Sequence, residues 1–247
     1  MSVAAAAGAP AARLADASVL VIGAGALGCA AAEALAAAGI RRLTLVDYDR
    51  VERSNLHRQL LHRTADLGRL KVESARDALA ARYPALVTAV AAVRFDAGNA
   101  RDLVRGQTAV IDATDGIANK FLINDLVIGL RTPLVHAGIV RFQGQLMTIL
   151  PGVSACYRCL FGAPPAAGSV PSCQEAGVLG SLAGTIGTLQ AAEAIRLATG
   201  EGALLTDRLL TYDALATRFR QVKLRRNPAC PTCAPLGDPL AATAGTG

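Results

Sequence analysis

The chain has 247 residues, of which 52% are hydrophobic and 18% charged, and its formal net charge is +6. This composition supports a packed core and argues against a disordered chain. Aromatic residues make up only 4%, and the basic residues are dispersed outside 218–226. A nucleic-acid surface is therefore disfavoured, and an acidic protein or a polyphosphate is the better partner.

The two ends of the chain differ in composition from its centre. Residues 1–12 are almost all Ala, Gly and Pro, which predicts a flexible tail without the basic and apolar regions of a signal peptide. A second flexible tail is predicted over 235–247, so that 13–234 form one domain. Six cysteines without a secretory signal indicate reduced thiols, metal ligands or catalysts in a cytoplasmic protein rather than a disulfide framework.

The first predicted elements are a strand, a glycine-rich turn and a helix. The apolar residues 19–22 run into glycines with the spacing G-x-G-x-x-G, which are Gly23, Gly25 and Gly28. A helical pattern over 27–38 follows, and such a turn brings the backbone close to a phosphate at the helix N-terminus. A second strand, 43–46, ends at Asp47, where a ribose-binding carboxylate belongs. Taken alone, this motif predicts a dinucleotide-dependent enzyme.

The next elements continue this alternation and then depart from it. The pattern of a doubly wound parallel sheet continues with helices over 71–82 and 119–130 and strands over 86–93, 108–112 and 133–137. After it we expect antiparallel strands on both sides of Gly144 within 138–150, a mobile loop over 161–172, a helix over 179–199 that stops at Gly200, and a closing β-pair over 204–212 and 217–224. The uncharged stretch 176–192 is too short and polar to span a membrane, and its glycines suit a closely packed helix at a subunit interface.

Two polar segments could complete a nucleotide site. The loop 49–70 is long enough to be functional, and it carries Asn55, Arg58 and Gln59 shortly before Lys71. Cations from separate segments suit a triphosphate, although the loop taken alone is better explained as a solvated surface with salt bridges at its rim. Asp112 and Asp115 lie at the end of a predicted buried strand, where one carboxylate can hold Mg²⁺ together with substrate oxygens. The alternative is that Asp115 caps the next helix, and the two roles are compatible. The three histidines receive no role.

The cysteines fall into pairs and singles. Two CxxC pairs lie far apart in sequence, Cys156 with Cys159 and Cys230 with Cys233. Four thiolates can close a structural zinc site, and the alternatives are a redox pair or plain buried thiols. Cys173 lies in the loop, where it is either a nucleophile or an inert thiol. Cys29, just behind the glycine turn, is expected in the core.

Together these segments resemble one family, the ThiF/MoeB/HesA-type adenylyltransferases of ubiquitin-like sulfur carriers, which are kin to ubiquitin-activating enzymes. The resemblance spans roughly 14–233 through the blocks VLVIGAGALG, LVDYDRVERSNLHRQ, DATDGIANKFLIND, GQLMTILPGVSACYRCLF, SCQEAGVLG…GTLQAAEAI and YDALATRFRQVKLRRNPACPTC. It implies a Rossmann-like α/β fold and a reaction of ATP with the Gly-Gly carboxylate of a small carrier. The acyl-adenylate would then accept sulfur for molybdopterin, thiamine or related biosynthesis. A sulfurtransferase or cysteine desulfurase donor and a homodimer are also implied.

The resemblance also assigns roles to individual residues. The nucleotide would contact Gly23, Gly25, Ala26, Gly28, Asp47, Asp49, Ser54, Asn55, Arg58, Gln59, Lys71, Asp115 and Gly116. Arg58 and Lys71 would serve catalysis, Asp115 would bind Mg²⁺, and Cys173 would match a loop cysteine that links to the carrier in thiamine-type members. The zinc ligands would be Cys156, Cys159, Cys230 and Cys233.

The chain departs from the family pattern at several positions. The N-terminal region has only Arg13 where members carry an Arg-aromatic-x-Arg-Gln block. Gly116 stands for the usual Asn, Lys120 for the usual Arg, and Ala26 for the more common Gly. Two alternatives therefore stay open: a catalytically weakened member that binds a carrier, and an NAD-dependent oxidoreductase built on the same turn.

Overall fold

The computed structural model describes residues 9–166 and 177–237, which form an eight-stranded sheet with helices on both faces. The strands are β1 (Ser18–Ile22), β2 (Arg42–Val46), β3 (Val87–Ala91), β4 (Ala109–Asp112), β5 (Leu134–Val140), β6 (Gln143–Ile149), β7 (Arg208–Asp213) and β8 (Arg218–Lys223). The helices are α1 (Ala9–Asp16), α2 (Ala26–Ala38), α3 (Lys71–Arg82), α4 (Ala100–Val104), α5 (Ile117–Gly129), α6 (Tyr157–Phe161) and α7 (Gly180–Thr199). Among these described helices, none has the length and apolar character needed to cross a membrane.

The strand order is β3-β2-β1-β4-β5-β6-β7-β8. The first five of these strands are parallel, and the last three join β5 through antiparallel pairs. The order reverses between β1 and β4, the place where open α/β sheets bind ligands. This arrangement confirms the predicted fold class.

Both faces of the sheet are buried near its centre. In β1, Val19 and Val21 face a cluster with α1, α2, α3 and α7, and Leu20 and Ile22 face a second cluster with α4, α5 and α6. All four side chains are at most 2% exposed. A strand covered on both faces needs continuous apolar residues, and the run at 19–22 supplies them.

Glycines allow α7 to pack closely on its own chain. A Cβ on Gly187 would lie 2.5 Å from the carbonyl oxygen of Leu27 in α2, and a Cβ on Gly144 would lie 2.6 Å from a side-chain carbon of Ile186. Gly187 thus serves an intrachain contact of α7 with α2, and Gly144 serves one of α7 with the sheet. The subunit interface predicted for the stretch stays a prediction. Gly200 ends α7 in the left-handed conformation, as predicted.

Three predicted boundaries need correction. Residues 9–12, predicted as tail, belong to α1, which is held by a hydrogen bond from Arg13 to the carbonyl of Thr199. The hairpin predicted around Gly144 turns at 141–142 instead, because β5 continues past its parallel partner and pairs with β6 along its whole length, as far as Val140 with Gln143. Phe161, predicted to start a loop, ends α6, and the rest of that predicted loop beyond 166 lies outside the described residues.

Candidate active site

A cleft of about 1140 Å³ opens at the carboxyl ends of β1, β2 and β4. It brings together most of the residues singled out in the sequence, namely Gly23, Gly25, Ala26, Asp47, Asp49, Asn55, Arg58, Gln59, Lys71, Asp115 and Gly116. Gly28 and Ser54 do not line the cleft, and Cys173 falls outside the described residues.

The glycine turn forms the floor of the cleft. Gly23 has a φ of 100°, and a Cβ there would lie 2.8 Å from the carbonyl oxygen of Ala113. Gly28 lies beneath the turn, where a Cβ would lie 1.8 Å from the oxygen of Gly23. Helix α2 begins after Gly25 without a side-chain cap. Its first N–H groups are therefore available to an anion in the cleft.

Asp47 connects the glycine turn to the segment after β2. Its Oδ2 accepts a hydrogen bond from the Ala24 N–H at 2.7 Å, and its Oδ1 accepts one from the Asp49 N–H at 2.8 Å. The carboxylate therefore fixes the edge of the cleft through two backbone bonds. It also lines the cleft, where it remains within reach of a ligand.

Two cations enter the cleft from separate segments, as the sequence predicts. Lys71 at the start of α3 is 6% exposed, and its Nζ lies 2.8 Å from Oδ2 of Asp49. Arg58 donates to the carbonyl of Ser54 at 3.1 Å and to Oδ1 of Asn55 at 2.9 Å. These partners orient both cations beside the uncapped N-terminus of α2, which is an arrangement suited to phosphate groups.

Gln59 supplies a further polar group at the base of the cleft. The residue is 4% exposed, and its Oε1 has no hydrogen-bond partner within the described part of the chain. Its Nε2 lies 3.8 Å from where a Cβ on Gly25 would stand. A buried polar atom without a partner is a feature of binding sites, because a ligand or an ordered water can satisfy it.

Asp112 and Asp115 play different parts in the structure. Asp112 is fully buried, accepts bonds from His136 Nδ1 at 2.9 Å and from the Thr114 hydroxyl at 2.7 Å, and does not line the cleft. Asp115 is exposed at the cleft, and its carboxylate makes no hydrogen bond or ion pair in the described structure. Of these two acids, Asp115 is the one that presents an unbonded carboxylate to a ligand.

Lys120 holds the segment between these two acids. Its Nζ donates to the carbonyl of Ala137 at 2.5 Å and to the carbonyl of Thr114 at 2.9 Å, and it lies 3.4 Å from Oδ2 of Asp112. Burial alone would raise the pKa of Asp112, but the Lys120 charge and the His136 and Thr114 hydrogen bonds outweigh it and hold that pKa well below its usual range. The three bonds use all the donors of Lys120.

Tyr157 and His136 pack together on the buried side of Asp112, to which His136 is hydrogen-bonded. The Tyr157 ring lies 4.3 Å from the His136 ring and 4.9 Å from the Phe121 ring, measured between centroids. Burial raises the pKa of Tyr157 to about 12, and the Asp112 charge acts in the same direction. Burial and the Lys120 charge lower the pKa of His136, which favours a neutral imidazole. Sequence reasoning gave neither residue a role, because their meeting depends on contacts between β5 and α6.

The four predicted cysteines lie in one cluster, which confirms the predicted grouping. All four sulfurs lie within 4.8 Å of one another, with 3.5 Å between Cys156 and Cys230 and 3.4 Å between Cys159 and Cys233. A tetrahedral zinc site with Zn–S bonds of about 2.3 Å requires sulfurs roughly 3.8 Å apart. The cluster therefore fits a zinc ion, which these four residues would hold with no open position. The cluster joins residues 230–233 to the start of α6, next to Tyr157.

Cys29 is a core residue, as expected. It is 2% exposed, its sulfur lies 3.7 Å from Nε2 of His62, and burial raises its pKa to about 12. A thiol with this pKa is not a nucleophile near neutral pH.

The fold and the cleft together define a Rossmann-like α/β protein with a nucleotide-binding geometry and a four-cysteine cluster. Over residues 2–232 the chain matches the ThiF family, and it belongs to that family. It is 44% identical over 226 residues to "Sulfur carrier protein adenylyltransferase" of Thermus thermophilus, covering 90% of this chain and 83% of that protein. The family implies the use of ATP.

Other relatives extend the comparison. The chain is 44% identical over 221 residues to "SAMP-activating enzyme E1" of Haloferax volcanii, with 90% of this chain and 82% of the relative covered. It is 46% identical to "Adenylyltransferase and sulfurtransferase MOCS3" of Bos taurus, of which it spans 49%. The crystal structure of E. coli MccB with ATP shares the fold, with a TM-score of 0.81 at 20% identity over 92% of this chain and 69% of that one.

Proposed function

We propose that this protein transfers the AMP group of ATP to the C-terminal Gly-Gly carboxylate of a small ubiquitin-like sulfur carrier. The observation that carries the proposal is the convergence of Arg58, Lys71 and the unpaired Asp115 carboxylate around the glycine turn of one cleft. The 44%-identical relative named for the same activity supports it. A dinucleotide oxidoreductase would require neither these two cations nor the cysteine cluster.

The chain's own residues account for the binding half of the reaction. The turn at Gly23 and Gly25 and the uncapped start of α2 would receive the phosphates, and Asp47 would meet the ribose. Arg58 and Lys71 would neutralise charge that develops when the carrier carboxylate attacks the α-phosphate and pyrophosphate leaves. Because both cations are held by Asn55 and Asp49, they are oriented before the substrate arrives.

Asp115 suits a divalent cation. Its carboxylate is exposed at the cleft without a hydrogen-bond donor in the described structure, and hard cations such as Mg²⁺ prefer such oxygen ligands. Bound Mg²⁺ would supply neutralisation of phosphate charge. Asp115 would hold that ion, and Lys120 would hold Asp115's segment through the Thr114 carbonyl.

The later sulfur step is part of the same proposal. A sulfur donor would convert the acyl-adenylate to a thiocarboxylate, with AMP leaving, for molybdopterin, thiamine or a related pathway. Cys173 would act only in that step, so Cys173→Ser should keep adenylation intact. A cytoplasmic homodimer is proposed as the working form, since the family resemblance implies one.

Pyrophosphate exchange into ATP tests the proposal, with a sulfur carrier of Thermus thermophilus as the substrate. We expect exchange that requires both the carrier and its terminal glycine. Arg58→Ala should lower the rate roughly 100-fold or more. Arg53→Ala is the matched control, because Arg53 belongs to the same loop but does not line the cleft.

Two results would contradict the proposal. Tight binding of NADH without binding of Mg²⁺-ATP would favour the oxidoreductase. Carrier binding without exchange would favour a weakened, carrier-binding family member.

A further inference from the structure

One face of the sheet continues past the cleft across β6, β7 and β8, and no element of the described chain covers it there. Side chains on this face stand in two cross-strand rows, Gly138–Gln145–Thr211–Arg220 and Val140–Gln143–Asp213–Arg218. Every residue of β8 is exposed. The opposite face of β6 is buried against α7 through Gly144. At β6 the sheet is therefore open only on the side of the cleft, whereas β8 is exposed on both faces.

This open face is continuous with the candidate active site. Gln143 and Thr211 line the cleft, and the same two residues line a second hollow of about 310 Å³ whose other walls are Asp213, Arg218 and Arg220. A polypeptide that leaves the cleft past Gln143 and Thr211 would pass through this hollow. It would reach the two arginines of β8 last.

This end of the open face carries two arginines, Arg218 and Arg220, and one carboxylate, that of Asp213. Neither Arg218 nor Arg220 forms an ion pair with a carboxylate of the described residues, whereas Arg69, Arg82 and Arg158 all do. The nearby Asp213 is the cross-strand partner of Arg218, and its Oδ1 accepts the N–H groups of Ala216 and Leu215. These bonds, a hydrogen bond with Gln143 and the Arg218 charge lower the pKa of Asp213, so one carboxylate faces two arginines. The end of the open face is thus cationic and suits an acidic partner.

The distance from Asp115 to β8 sets which residues of an extended carrier tail can reach the two arginines. Asp115 follows β4, and β8 lies four strands away, which is about 19 Å at a strand spacing of about 4.8 Å. An extended chain rises about 3.3 Å per residue, so the path takes about six residues. A carrier whose terminal glycine is at the cleft would therefore place the residues about six positions before that glycine, here called the base of its tail, over Arg218 and Arg220.

We propose that Arg218 and Arg220 bind acidic side chains at the base of the carrier's tail and so help to select the carrier. This inference rests on the proposed function, because it takes the occupant of the face to be the protein whose carboxylate is adenylated. The competing explanation is that charged residues on β8 only protect an exposed sheet edge from pairing with another chain.

The experiment is pyrophosphate exchange at increasing concentrations of a Thermus thermophilus sulfur carrier, with the double variant Arg218→Glu/Arg220→Glu. We expect the KM for the carrier to rise tenfold or more, with the KM for ATP unchanged. Lys223→Glu is the matched control, because Lys223 is also exposed on β8 but lies on the opposite face. The KM of this variant for the carrier should stay within twofold of the wild-type value.

A charge exchange completes the test. Carrier acids about six residues or slightly more from the C-terminus are replaced by Lys, which should weaken the wild-type enzyme and restore the glutamate variant. The milder Arg218→Gln/Arg220→Gln, together with the salt dependence of the carrier KM, replaces the glutamate variant if that one does not fold. Equal effects of Lys223→Glu and the double variant, or no effect of carrier charge, would overturn the inference. Absence of exchange by the wild type with any carrier would overturn the proposed function itself.

Discussion

Replacing Lys120 with Met should destabilise the protein strongly. Lys120 is 6% exposed, and it joins Asp112 to the carbonyls of Thr114 and Ala137. Methionine keeps the bulk of the side chain but leaves a fully buried carboxylate with one partner fewer. Removing one member of a buried ion pair typically lowers the free energy of unfolding by about 3–5 kcal/mol. For a domain of this size that corresponds to a fall in Tm of about 6–20 °C.

The assay is urea unfolding followed by circular dichroism at two pH values. In the wild type the pKa of Asp112 is depressed, so its contribution to stability is present above the pKa of an unfolded Asp and is lost as the pH falls through the native pKa. Without Lys120 that pKa rises, and protonation then relieves the buried charge. The difference between the two proteins should therefore shrink from pH 7 to pH 4.

Lys120→Arg is the control, because it keeps the charge, and it should lose much less stability than Lys120→Met. A Met variant as stable as the wild type at pH 7, or a difference that does not change with pH, would refute the reasoning.

Three further predictions follow from the packing, the cysteine cluster and the buried histidines. Gly187→Ala should lower the Tm because its Cβ would lie 2.5 Å from the Leu27 carbonyl oxygen, whereas Gly184→Ala, with nothing within 4 Å, should be neutral or stabilising; equal effects in thermal melts would contradict the packing account. The purified protein should contain one zinc per chain by elemental analysis, and Cys230→Ser should lose both the metal and thermal stability, while a chelator that left the Tm unchanged would exclude a structural zinc. Burial lowers the pKa values of His62 and His136, so the free energy of unfolding should fall as the pH drops below about 6.5, by at most about 1.4 kcal/mol per pH unit for each histidine. His62→Gln should flatten this slope. An unchanged slope would indicate that His62 binds its proton as readily in the folded protein as in the unfolded chain.

Local sequence patterns were sufficient for most of the fold. The helix predicted over 71–82 has those bounds in the structure, and the apolar runs at 19–22 and 109–111 lie in central strands. A glycine between two alternating segments predicts a turn, which is why the sequence pattern centres the hairpin on Gly144 instead of 141–142. Gly144 is needed for packing against Ile186 instead, and that requirement is tertiary.

The candidate site was predictable where a motif carries it and hidden where only the fold creates it. The glycine turn, Arg58 and Lys71 stand in recognisable spacings and meet in the cleft. The different parts of Asp112 and Asp115 were not visible, because the two acids lie three residues apart at the end of one strand. Burial separates them, and it depends on Lys120 and His136 arriving from α5 and β5.

The central claim is tested most directly by carrier-dependent pyrophosphate exchange in the wild type and in Asp115→Asn. Asp115 is exposed and unbonded in the described structure, so Asn should leave the free energy of unfolding within about 0.5 kcal/mol of the wild type. The account predicts Mg²⁺-dependent exchange in the wild type and a loss of roughly 100-fold or more in the variant. Full exchange activity in Asp115→Asn, or wild-type exchange that does not require Mg²⁺, would contradict it.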